Sequence, residues 1–179
     1  MPKKKLAKPS APPESKLALA MAVSARVQIR AITLLSTAAR RPPLDAKPPT
    51  NIELNIDVQS DLDKQKQEIG VRVSCALFGR HDEQKNTPPT LEIRAEYWLL
   101  YSVAPVEGLT PDNIKAFGDL NGVYNVWPYW REYVQSTVTR MGMPPLPIPV
   151  FRPLDLKSPE KPGRTSGRKS QRPQIKDEQ

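Results

Sequence analysis

The 179-residue chain reads as an α+β fold: a four-stranded antiparallel sheet ordered as a meander, with a C-terminal helix packed on it and a disordered basic tail at each end. Three observations predict this. Between residues 25 and 103, apolar side chains recur at every second position in several runs, the period of strands covered on one face. From Trp127 the spacing becomes helical, with Trp127, Trp130, Val134, Val138 and Met141 separated by three or four positions. The first and last stretches are rich in Lys, Pro and Ser and have almost nothing to bury.

Taken in order, residues 1–16 form the first tail and residues 17–156 the folded domain. Glu14–Met21 holds good helix formers for one short helix, marginal by itself. Val27 and Ile29 alternate with Gln28 and Arg30, which predicts a strand over about Ala25–Leu35, with a bulge where Ile32, Leu34 and Leu35 change phase. Helix competes there, because Ala, Leu and Met are abundant. Four prolines between Arg40 and Pro49 make a loop, since they remove ladder donors. Ile52, Leu54, Ile56 and Val58 then face inward, with Glu53, Asn55, Asp57 and Gln59 outward. A charged turn at Asp61–Gln67 leads to Ile69, Val71, Val73, Cys75 and Leu77, and a second turn at His81–Pro89 leads to the alternation from Leu91 to Val103. Consecutive strands with short polar connections argue for the meander. Thr110-Pro111-Asp112-Asn113 is a turn or a helix start. Pro128 is tolerated only in a first turn, so the main helix is expected to begin near Val126, with Arg140 in its last turn and Gly142 closing it. Met143–Pro153 is extended by its prolines. Residues 157–179 form the second tail.

Each tail, 1–16 and 157–179, carries a net charge of +4, and residues 17–156 are neutral with fifteen basic and fifteen acidic residues. The basic balance therefore belongs to the tails. A fold that grips a nucleic-acid backbone needs a basic face of its own, so nucleic acid is expected only through the tails. No run of about eighteen apolar residues predicts a membrane span, and the cytoplasm is the expected location. One cysteine, Cys75, and one histidine, His81, exclude a disulfide within the chain and argue against a metal centre. No phosphate-binding glycine loop, nucleophile elbow or zinc-protease motif is present. Glu53 and Asp57 share one strand face, as do Glu92 and Glu96, but carboxylates four apart on a strand stand roughly 13 Å apart, too far for a direct acid–base pair. No catalytic residue, metal or cofactor is expected.

Trp127-Pro128-Tyr129-Trp130-Arg131-Glu132 resembles the aromatic-Pro-Tyr-Ala-Arg-Glu segment of the SecB-type protein-export chaperones. An apolar helix ending at Arg140 follows, and then Pro145-Leu146-Pro147-Ile148-Pro149-Val150, similar to that family's Pro-x-Leu-x-Leu-x-Pro element. The resemblance covers about residues 24–155 and is strongest in the last third. It implies an α+β subunit that forms a dimer or a tetramer and binds non-native polypeptide clients without nucleotide hydrolysis. It also brings two contexts, docking to an export motor or service to a toxin–antitoxin pair, with phages as a further setting. Three departures stand out: Trp130 where a small residue is usual, no acidic surplus for a basic motor tail, and no evident second helix.

Client binding would use apolar surface. The three Trp and five Tyr cluster in residues 97–133, and aromatic side chains give large contact areas with few rotors. Tyr97, Trp98 and Tyr101 lie in a run apolar on both strand faces, so a helix, a sister subunit or a client must cover the second face. Trp127, Tyr129 and Trp130 are candidates for core, interface or client contact. Leu44, Leu146, Ile148 and Phe151 are candidate groove walls, with loop packing as the plain alternative. A single dedicated partner, such as an antitoxin, is the other reading of the same surface.

Overall fold

The computed structural model describes residues 15–81 and 88–151. The two tails, apart from residues 15 and 16, lie outside the described residues, as do most of the His81–Pro89 turn and Arg152–Leu156.

Helix α1 (Lys16–Ser24) is capped by Ser15, whose Oγ accepts from the Ala18 amide at 3.2 Å. It runs three residues past the expected end because Ala20 and Val23 are buried. Strand β1 (Val27–Arg40) is five residues longer than expected at its C-terminal end, since it pairs with almost the whole of β4 (Leu91–Val103). Its register shifts twice, between Ile29 and Ala31 and between Leu34 and Ser36. The second shift is the expected bulge.

β2 (Asn51–Asp63) pairs with β3 (Glu68–Arg80), and β3 pairs with β4, both antiparallel. The order across the sheet is β1-β4-β3-β2. The sheet is four-stranded and antiparallel as expected, but only β2, β3 and β4 form a meander. The proline-rich segment 41–50 carries the chain from one edge to the other, past the ends of β4 and β3. It is long enough to cross three strand spacings of about 4.8 Å each. Arg40 at its start donates to the Pro89 carbonyl at 3.1 Å, and the Thr50 amide at its end donates to the Arg80 carbonyl at 2.9 Å. The β2–β3 turn is shorter than expected, because Leu62 still pairs with Ile69. Asp63 Oδ1 accepts from the Gln65 and Lys66 amides, both at 3.0 Å, and those bonds hold its carboxyl below the usual range.

One face of β3 and β4 is the core. Ile69, Val71, Val73, Cys75, Leu77 and the odd-numbered residues from Leu91 to Val103 are all buried. They are covered by a helical run that begins much earlier than expected. Thr110 opens helix α2 (Pro111–Phe117) with a reciprocal capping box to Asn113. One π-helical turn at Gly118–Gly122 leads directly into α3 (Val123–Arg140). Pro128 is therefore an interior residue of α3, contrary to its expected place in a first turn. It forgoes an amide bond to the Tyr124 carbonyl, and both residues lie on the exposed face, where solvent can take that acceptor. Gly122 explains the close seating of the helix: a Cβ there would stand 2.7 Å from Val71 Cγ1.

The helix ends as expected. Gly142 has a φ of 68°, the Met143 amide donates to the Val138 carbonyl at 3.2 Å, and the Gly142 amide donates to the Thr139 carbonyl at 3.0 Å. Residues 143–151 continue as extended chain, with Ile148 buried.

Candidate functional site

The sequence-predicted residues divide between core and surface. Trp130 is 1% exposed; Tyr97, Tyr101, Trp127 and Ile148 are also buried. Of the readings left open for them, packing holds in the subunit itself. The Tyr101 hydroxyl accepts from Asn125 Nδ2 at 2.9 Å, and its ring meets Phe117 edge-on at 5.0 Å. Burial pushes the Tyr101 hydroxyl up to about 12 and moves Tyr97 upward as well. Burial likewise pushes the Cys75 thiol up to about 12.

Trp98 lies on the opposite face, which no helix covers. Its ring rests on Gly70, where a Cβ would meet Trp98 Cη2 at 2.3 Å. Much of the rest of that face is charged and paired. Arg72 meets Glu96 at 2.7 Å, Arg80 meets Glu53 at 3.0 Å, and Arg40 and Arg94 both meet Glu92. The arginines and the partly exposed Trp98 and Phe78 give this face an amphipathic cover of its own.

The exposed apolar surface lies elsewhere. Leu44, in the crossing loop, is 85% exposed. Near the foot of that loop, Pro48 and Pro49 face Leu91, Val138, Met143, Pro144, Pro145 and Leu146 across an apolar cleft of about 190 Å³. A second groove of about 280 Å³ runs beside β2, lined by Ile56, Val58, Val123 and Phe151 with Lys16, Asp57, Lys115 and Asp119 at its rim. Phe151 packs on Trp127 with ring centroids 5.5 Å apart, and Trp127 Nε1 donates to the Pro149 carbonyl at 2.9 Å. The Trp-Pro-Tyr motif thus serves two ends: Trp127 anchors the extended segment, while Pro128 and Tyr129 point outward, Tyr129 being 52% exposed. Arg131 is half-buried, and its Nε has no partner among the described residues. Among those residues no ion pair joins it to Glu132, which is exposed. Arg140 is exposed in the last turn of α3.

Sequence reasoning missed three features. Ile29, Leu34 and Leu35 leave β1 with large exposed apolar side chains along a free sheet edge. Tyr124 joins Tyr129 as an exposed aromatic on α3, and Val150 is exposed beside Phe151. The adjacent pair Leu34-Leu35 held a signal, since two neighbouring apolar residues on a strand address both faces unless a bulge intervenes.

Among the described residues no helix is long and apolar enough to cross a membrane. No protein-family model matches the chain. Two curated relatives match, the SecB-like chaperones Rv1957 and MT2006 of two Mycobacterium tuberculosis strains. Each is 28% identical over 151 residues, spanning 74% of this chain and 82% of the relative. A solved structure of the SecB-like chaperone Rv1957 of M. tuberculosis, in complex with a ChAD peptide from the HigA1 antitoxin, superposes with a TM-score of 0.63 at 26% identity, covering 76% of this chain and 98% of that one. The same four-stranded antiparallel sheet with its C-terminal helix underlies both. In sequence and in fold alike, the chain is similar to the SecB-like chaperones.

Proposed function

We propose that the protein is a homo-oligomeric holding chaperone that binds non-native polypeptide through apolar surface and uses no nucleotide. The observation that carries this is the apolar surface one subunit leaves uncovered, which falls into two patches of different character. The first is the free β1 edge with Ile29, Leu34 and Leu35; Tyr124 and Tyr129 on α3 add exposed aromatic surface. A long unpaired edge is suited to a sister subunit. The second is concave: the cleft of Pro48, Pro49, Leu91 and Leu146, with Leu44 nearby. It suits single side chains of an extended client.

Each fully buried client leucine contributes roughly 1.5–3 kcal/mol. Several such weak sites on one oligomer add through effective concentration, so capture needs no fuel. A client that folds withdraws its apolar segments and leaves. The peptide held by the SecB-like relative supports polypeptide as the ligand class. The same complex favours a second reading, in which the protein serves one dedicated partner such as an antitoxin.

The test is suppression of aggregation of a chemically unfolded model protein without ATP, with the mass of the chaperone measured in parallel. Suppression at stoichiometric amounts, lost in a Leu146→Asp variant of unchanged mass, is expected. Binding of a native protein as tightly as its unfolded form would sink the holdase reading. Recovery of a single dominant protein in pulldowns, with no effect on unfolded model proteins, selects the dedicated partner.

A further inference from the structure

The two edges of the sheet differ in charge. β1 carries Arg30 and Arg40 and no acidic residue; β2 carries Glu53, Asp57, Asp61 and Asp63 and no basic one. Glu53 is paired with Arg80 and Asp63 with Lys66. Asp57 and Asp61 are exposed, and among the described residues neither has a cation within 4.0 Å. As an edge strand, β2 has β3 as its single ladder neighbour and one side open.

The chain itself returns to this edge. Phe151 sits in the groove with Ile56, Asp57 and Val58, held there through Trp127. Phe151, the last described residue, therefore lies beside the middle of the acidic strand. Residues 152–179 contain eight Lys/Arg and four Asp/Glu, a net charge of +4, and Leu154 and Leu156 follow Phe151 closely. The thirteen residues of β2 span about 43 Å at roughly 3.3 Å each, well within reach of that extension.

We propose that residues 152–179 dock in cis along the acidic outer edge of β2, so that the chain's own basic extension occupies the open side of that strand. This goes beyond the chaperone reading and does not depend on it. The first fourteen residues are the competing occupant, because Lys16 lines the same groove and that segment is also basic. The C-terminal extension is favoured because it continues from a side chain already seated there and brings two leucines to an apolar groove.

Zero-length carbodiimide coupling of amines to carboxylates in the full-length protein, read by mass spectrometry, tests this. Expected links join Lys157 or Lys161 to Asp57 or Asp61. Their yield falls several-fold at about 1 M salt, where screening is complete within about 3 Å. An Asp57→Asn/Asp61→Asn variant, altered only at exposed positions, loses the links and gains hydrogen exchange in β2. Links from Lys3–Lys8 to β2 in place of these, tail links distributed equally over Glu92 and Glu96, a yield indifferent to salt, or links only between chains in a mixture of ¹⁴N and ¹⁵N protein would each overturn the proposal.

Discussion

Tyr97 and Trp98 are adjacent in the chain and lie on opposite sides of the sheet. Tyr97 is sealed under the helix, while Trp98 lies across Gly70 on the face that the helix leaves open. Cys75 belongs to the sealed side, and its burial has a measurable consequence. Its thiol is pushed from about 9 to about 12 because the thiolate would be desolvated. The unfolded chain gives up this proton first, so stability is unaffected below pH 9 and declines between pH 9 and 12. Denaturant titrations at pH 9 and pH 10 should differ by about 1 kcal/mol on this account, and a Cys75→Ala variant should show a smaller difference. Tyr101 adds to the decline in the same direction above pH 10. A thiol reagent should label the native protein only at the rate of its opening.

At the scale of elements, the strands were legible because alternation reports one covered face directly. β3 and β4 are found where Ile69–Leu77 and Leu91–Val103 put them. The helical run was legible only in its second half. Nothing in the periodicity announces that Pro111–Arg140 is one continuous path, because the π turn at Gly118–Gly122 shifts the phase between α2 and α3. Pro128 also reads as a boundary until the helix is seen to start before it. Substituting Pro128→Ala restores an amide donor and should stabilise the fold by about 1–3 kcal/mol, read as a raised denaturation midpoint. Strand order was not legible, since hairpin length constrains neighbours but a ten-residue crossing does not. β1 consequently lies beside β4, with Ile29 and Leu34 exposed at the free edge. Because these residues are already exposed in one subunit, Ile29→Lys with Leu34→Lys should alter the circular dichroism of the subunit little. The same pair should raise the dissociation constant of the proposed oligomer by at least about tenfold, or about 1.4 kcal/mol, in mass measurements across concentration.

At the scale of the whole molecule, charge and grease are segregated. Residues 17–156 are electrically balanced and hold the core; the basic surplus sits at either end. Polyanion binding should therefore fall steeply with salt and should vanish when the lysines and arginines of 1–16 and 157–179 are neutralised, with client capture retained; heparin retention beside the aggregation assay reads both. The candidate site was legible in part. The Trp-Pro-Tyr and Pro-Leu-Pro segments drew notice to α3 and the chain after it, where Leu146 is half-buried, while Leu44 is exposed in the crossing loop. Most of the aromatic candidates, however, are core, because a large ring at a strand or helix position alternates or rotates into the covered side without any sign in its identity.

The crossed order of the sheet also bears on synthesis. Val27 pairs with Val103, so the first strand to leave the ribosome waits for the last. At roughly 5–20 residues per second that interval lasts several seconds. Throughout it, a greasy ribbon of nascent chain has no tertiary partner of its own. A protein of this build is, for the opening seconds of its existence, the kind of substrate that the proposed holdase would shelter.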